Sequence, residues 1–447
     1  MLADPAPSTL ADPWRQRDLA VLWQSAASQG ALAGPLTPLP IARGEGPWLI
    51  DHDGRRYLDA VSSGGNTLFG HATPRIGAAL AAQAAQLDHA LLAGFSPAPA
   101  ILLAERLLAL APRQAGRAPL ARVLFGDSGA TAVDAALAMT AQYFRTRDEP
   151  HRTRFVALEN GAHGGLPGAL AADALLAPSP DAYLAAPGQT AAQRAHAAAD
   201  ALATLFDQHP GEIGAVIVEP RLQCAGGMRV HDPVYLQRAR ALCDANGAFL
   251  IADERATGFG RTGTLFACEQ AGVMPDLLCL SGGLTGGVLP LSAVLATQAL
   301  HEAVAAAPHA PRVLHAQAGG HPLACAAALA TLDMFASDDV IARNRSTAEV
   351  MRTLAAPFHD HPCVADVRQA GMVVAFELTR GGDRRTPFPP EARIGLQVGN
   401  AALKRGVLLR PLGDVLYWMP PYCMEDDHLD LLAQTTLAAI EEAIACA

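Results

Sequence analysis

The 447-residue chain has one lysine, Lys404; its other permanently cationic side chains are arginines. Any chemistry that needs a lysine amine therefore has a single candidate. The eight cysteines, Cys224, Cys243, Cys268, Cys279, Cys325, Cys363, Cys423 and Cys446, contain no CxxC pair, and most lie in apolar stretches. That excludes a disulfide framework or a cysteine-based zinc site and predicts reduced thiols in a cytosolic protein. The 15 histidines form no HExxH or comparable ligand set, so no metal is expected. No apolar run reaches the 18 or so residues of a membrane span. Charged residues are only 17% of the chain and the formal net charge is −10, which argues against nucleic acid as a partner. Met1 to Arg15 carries Asp4, Asp12 and three prolines in place of the basic-then-apolar pattern of a secretory leader.

What is present is a chain that is 51% hydrophobic, long enough for two domains with large cores. Trp14–Gln24 has a helical pattern, and Trp48 to Asp59 reads as strand, Asp-Gly turn, strand. From about residue 76, short apolar runs alternate with helical stretches. Val123–Phe125, Arg154–Leu158, Gly214–Glu219, Phe249–Glu254, Leu277–Leu280 and Ser292–Ala296 read as strands. This alternation predicts an α/β domain with a mostly parallel sheet over 76–335. Residues 336–447 would form a smaller α+β domain with the N-terminal segment 1–75, and about 322–360 reads as one long helical region.

Four strings carry chemistry. Asp253-Glu254-Arg255-Ala256-Thr257-Gly258-Phe259-Gly260-Arg261-Thr262-Gly263 follows a buried strand, and Ser281-Gly282-Gly283 follows another. Asp127-Ser128-Gly129-Ala130 opens a helix, and Leu409-Arg410-Pro411 precedes Met419-Pro420-Pro421-Tyr422. With Glu219-Pro220, these resemble the class III pyridoxal-phosphate aminotransferases of fold type I, nearest their biotin-pathway branch, from about Trp23 to Pro421. The resemblance implies a homodimer, a large aminotransferase domain and a small domain built from both chain ends. It places Asp253 at the cofactor's ring nitrogen, Ser128, Gly129 and Ala130 at its phosphate, and Arg410 at the substrate carboxylate.

Measured against the family pattern, other positions differ. Gly282 stands where the Schiff-base lysine is expected, and Lys404 sits at the end of a helix. Ala162 of Ala162-His163-Gly164 stands at a ring-stacking aromatic, Arg255 at an aliphatic, and Gly64-Gly65 at two tryptophans. Trp23-Gln24-Ser25-Ala26-Ala27 departs from the entry motif, and His315 to His321 lacks the expected threonine. Asp253 and Arg255 are two apart, so on a strand they share a face, and the guanidinium is expected to pair with Asp253 in place of the pyridinium.

The sequence therefore leads to the expectation that the chain has left lysine-based transamination, with conventional transaminase activity and bound cofactor absent. The pocket would take a small anionic or carboxylate ligand, in a cofactor-free enzyme or a binder. His163, Asp253 and Arg255 would be the reacting groups, with Arg410, Arg255, His315 and His321 around the ligand. Cys224 offers a thiol with no identifiable base. Two other readings stand beside this one: a pseudoenzyme acting through its dimer surface, and a lysine-free pyridoxal-phosphate enzyme of the biotin-pathway type.

Overall fold

The structure, a computed structural model, describes residues 13–23, 38–92, 94–163, 174–306, 319–381 and 386–445. The chain divides into two units, one from Met1–Thr73 with Ser346–Ala447 and one from Pro74–Arg345. The division at 345 lies ten residues beyond the boundary read from the sequence. The region 322–360 is not one continuous helix. Pro322–Ser337 and Val340–Ala355 are separate helices, because Asp339 adopts φ 48° and turns the chain between them.

In the smaller unit, β1 (Ile41–Glu45), β2 (Trp48–Asp51) and β3 (Arg56–Asp59) form an antiparallel meander. The Asp-Gly turn works as the sequence requires: Gly54 takes φ 83°, and the Asp51 carboxylate accepts from the backbone N–H groups of Asp53 and Arg55.

The larger unit holds a seven-stranded sheet. Its strands are β4 (Leu120–Gly126), β5 (Arg154–Leu158), β6 (Ala174–Ala177) and β7 (Ile213–Val218), then, beyond a short hairpin of β8 (Leu222–Gln223) and β9 (Arg229–Val230), β10 (Phe249–Asp253), β11 (Leu277–Leu280) and β12 (Ser292–Thr297). Their order is β4-β12-β11-β10-β7-β5-β6, and β12 alone runs against the rest. All six residues of β7 are buried, as expected of a strand covered on both faces. The Gly129–Thr146 helix packs Ala132, Val133, Ala135, Ala136 and Met139 against Ile217, Ile251, Cys279 and Val294 of this sheet. Its small residues let the helix approach closely. The carboxyl ends of β4, β5, β7 and β10 thus face one side, the usual place for a ligand in such a sheet.

The smaller unit is completed by β13 (Val364–Ala370), β14 (Val373–Leu378), β15 (Val407–Leu408), which lies parallel to β3, and β16 (Val415–Trp418). No helix among the described residues is long and apolar enough to cross a membrane.

Candidate active site

Four loops at the carboxyl ends of the large sheet converge on Asp253, the last residue of β10, which is 2% exposed. Its Oδ1 accepts from Arg255 Nε at 2.7 Å and from the Arg255 backbone N–H at 3.3 Å. Its Oδ2 accepts from Arg255 Nη2 at 2.8 Å and faces His163 Nδ1 at 3.0 Å. The expected Asp253–Arg255 pairing is therefore formed, and bidentate, the geometry that guanidinium and carboxylate favour. Burial alone would raise the Asp253 pKa; the His163 hydrogen bond and the Arg255 charge overcome it and hold the carboxyl well below its usual range.

Arg255 is fixed at a third point, since Nη2 also donates to the Ala162 carbonyl at 2.7 Å. Its side chain lies against the start of the Gly129–Thr146 helix: a Cβ on Gly129 would fall 2.8 Å from Arg255 Cδ and 3.4 Å from Ser281 Cβ. Ser128 caps that helix, its hydroxyl accepting from the Thr131 N–H. The first-turn N–H groups of Gly129 and Ala130 have no carbonyl within the helix to bind, which makes this end a seat for an anion.

Glu219, just beyond β7, is a site group that sequence reasoning noted only as part of a motif. It is 5% exposed, and its oxygens accept from the backbone N–H groups of Cys224 and Ala162, both at 3.1 Å. One buried carboxylate thus ties together the loops after β7 and β5. Burial, then the charge of Asp253, push its pKa up to about 7. The available signal was an acid closing a wholly apolar strand. His163 completes the cluster: it is 6% exposed, and its Nε2 has no hydrogen-bond partner among the described residues.

The other expected site residues have surroundings of their own. His321 occupies the N-cap position of the Pro322–Ser337 helix without a side-chain capping hydrogen bond, and stacks on His89, with ring centroids 5.0 Å apart. Among the described residues no hydrogen bond joins it to the Asp253 cluster. His315 and Gly164 lie outside the described residues. Arg410 belongs to the smaller unit, where it lines a cavity of about 830 Å³ with Phe388, Arg393, Asn400 and Asp414. Cys224 is buried, and burial pushes its thiol well above the ordinary value, so it is no ready nucleophile. Gly282 takes φ 52° at the start of a short 3₁₀ turn. Lys404 ends the Ile394–Lys404 helix of the smaller unit, its side chain 56% exposed and its Nζ 3.5 Å from Glu442.

Comparison with known proteins places this geometry. The aminotransferase class-III family model matches residues 31–440. The adenosylmethionine-8-amino-7-oxononanoate aminotransferase of Nitratidesulfovibrio vulgaris is 40% identical over 445 residues, covering 95% of this chain and 81% of that protein. The Synechococcus elongatus protein of the same name is also 40% identical, covering 88% and 92%. The crystal structure of the Methanocaldococcus jannaschii protein of that name superposes with a TM-score of 0.86 at 30% identity, covering 96% of this chain and 98% of that one. An omega transaminase of Pseudomonas jessenii, in complex with PMP, gives 0.88 at 27% identity, covering 98% and 99%. These full-length matches correct the principal functional expectation. A chain so similar throughout to named aminotransferases is not read as one that left transamination for a cofactor-free or surface-only role. The chain belongs to the class-III aminotransferases and has their fold type I architecture.

Proposed function

We propose that this chain transfers amino groups as its relatives' name describes, between adenosylmethionine and 8-amino-7-oxononanoate, and that it takes pyridoxal phosphate without a lysine bond. One observation carries the proposal: 40% identity to a protein of that name along 95% of the chain. With its single lysine on the exposed end of a helix in the smaller unit, the chain offers no amine from the large unit to anchor the cofactor.

The pocket residues match the cofactor at one end only. Ser128, Gly129 and Ala130 offer the small, N–H-rich helix start that suits a phosphate. The ring end does not fit as the residues stand, because both Asp253 oxygens are already engaged by Arg255 and His163. In this reading His163 is the proton carrier: Asp253 orients its Nδ1, which leaves Nε2 as the buried nitrogen that can take or give a proton. Arg410 is proposed for the substrate carboxylate, as arginine suits a bidentate anion. A homodimer belongs to the same reading, supported by exposed apolar side chains on the larger unit, with Phe95 65% and Leu102 50% exposed.

The test uses the full chain. Purified protein is equilibrated with pyridoxal phosphate, dialysed and scanned by absorbance, sized by sedimentation velocity, then given both substrates with mass detection of the diamino acid. Retained cofactor, a two-chain species and diamino product are expected. A protein that neither retains pyridoxal phosphate nor forms the product overturns the reading.

A further inference from the structure

We propose that Arg255 is an internal competitor for the cofactor's ring: the resting chain closes the ring seat with its own guanidinium, and a pyridine ring enters only by exchanging with it on Asp253. This rests on pyridoxal phosphate being the cofactor, as proposed above.

The geometry of Asp253 carries the inference. A carboxylate has about four lone-pair directions. Here they are met by Arg255 N, Arg255 Nε, Arg255 Nη2 and His163 Nδ1, at 3.3, 2.7, 2.8 and 3.0 Å. Two of the four come from the Arg255 side chain, so one side-chain movement frees both of those directions and leaves the backbone N–H and the His163 bond in place. The volume is arranged to admit the arginine. Ala162 supplies a carbonyl for Nη2 and, with its methyl side chain, little bulk. Gly129 has no Cβ, and one placed there would collide with Arg255 Cδ. Asp253 is buried almost completely, so it cannot remain ionised without a cation beside it.

The exchange conserves charge. A protonated pyridine nitrogen can replace one N–H donor and the positive charge of the guanidinium, whereas an uncharged ring would leave Asp253 unpaired. The Arg255 side chain is 19% exposed, so it is reachable from solvent and can swing outward, unlike a fully enclosed partner. Because only the open state accepts the ring, the apparent affinity falls by the fraction of chains that are open. Removing the guanidinium should therefore strengthen ring binding, even though Arg255 contributes a cation to the pocket.

The experiment measures dissociation constants by equilibrium dialysis for pyridoxal phosphate, 3-pyridylmethyl phosphate and benzyl phosphate, on wild type and on Arg255→Leu. The last two probes share the phosphate arm and differ in the ring nitrogen. Arg255→Leu is expected to bind pyridoxal phosphate at least about tenfold more tightly than wild type and to prefer the pyridyl over the benzyl probe; wild type should distinguish those two by less than about twofold. Equal or weaker pyridoxal phosphate binding by Arg255→Leu overturns the proposal. Should that variant fail to fold, wild type decides: a preference of about tenfold for the pyridyl probe shows Asp253 open to a ring nitrogen and overturns the proposal, and its absence with both probes bound supports it. If Arg255→Leu binds pyridoxal phosphate and wild type does not, the competitor stands and the proposed function falls. If wild type binds it tightly with a pyridyl preference, the function stands and the competitor falls. If neither protein binds it, both fall.

Discussion

Asp253 and Arg255 depend on each other for their charges. Burial alone would lower the Arg255 pKa, and the Asp253 charge and hydrogen bonds instead raise it. Asp253→Asn keeps the shape of the side chain and removes the anion, leaving the guanidinium with the Ala162 carbonyl and limited water. Breaking such a pair from one side is costly, so a loss of about 3 kcal/mol is expected in urea unfolding at pH 7. A loss below about 0.5 kcal/mol would show that the pair contributes little to folding.

Among the elements, the loops after β5 and β7 are held by close backbone approach as well as by Glu219. Asn160 takes φ 62°, and a Cβ on Gly226 would lie 2.0 Å from the Asn160 carbonyl oxygen. Gln223 Nε2 donates to the Glu159 carbonyl at 2.8 Å, a second tie between the same loops. A methyl group at 226 must push them apart and with them the Ala162–His163 turn. Gly226→Ala is expected to cost about 1–3 kcal/mol by thermal or urea unfolding. An unchanged midpoint would mean that the loops shift without strain.

For the molecule as a whole, the buried carboxyls set the response to pH. Glu254 is fully buried and accepts from the backbone N–H groups of Ala267 and Cys268 at 2.6 and 2.8 Å. Burial is the largest influence on it and pushes its pKa up to about 7 from an ordinary 4.5. Glu219 is raised to about 7 as well. Between 4.5 and 7 the unfolded chain gives up these protons first, so the folded state binds more of them. These two carboxyls make stability fall as pH rises through that window and level off above it, while buried His231, its pKa lowered to about 4, offsets part of the fall. Asp253 acts oppositely: its lowered pKa adds stability that is lost only when acid protonates the folded carboxylate. Urea midpoints taken from pH 4.5 to 8 should decline through the window, and Glu254→Gln should flatten the decline. A midpoint that climbs steadily with pH would contradict the assignment.

The sequence by itself determined the alternation of apolar strands and helices, the Asp-Gly hairpin, the helix start at Ser128 and the family resemblance, because each rests on local pattern or contiguous motif. The expected Asp253–Arg255 pair forms, but by a turn and not by strand spacing: β10 ends at Asp253, and Arg255 folds back on it from the turn that follows. Sequence order could not decide what those residues meet. His163 reaches Asp253 across 90 positions, and Ala162 reaches Glu219 across 57, because parallel strands bring their carboxyl ends together only once the sheet is assembled. The split of 322–360 into two helices turned on one left-handed residue, Asp339, which no periodicity announces. The largest misreading was functional: local substitutions at the pocket suggested a departure from transamination, whereas similarity along the whole chain ties it to aminotransferases. The Asp253–Arg255 pairing was open to sequence reasoning; tertiary structure alone decided its third anchor, the Ala162 carbonyl, because that loop follows a different strand and meets Arg255 only in the assembled sheet.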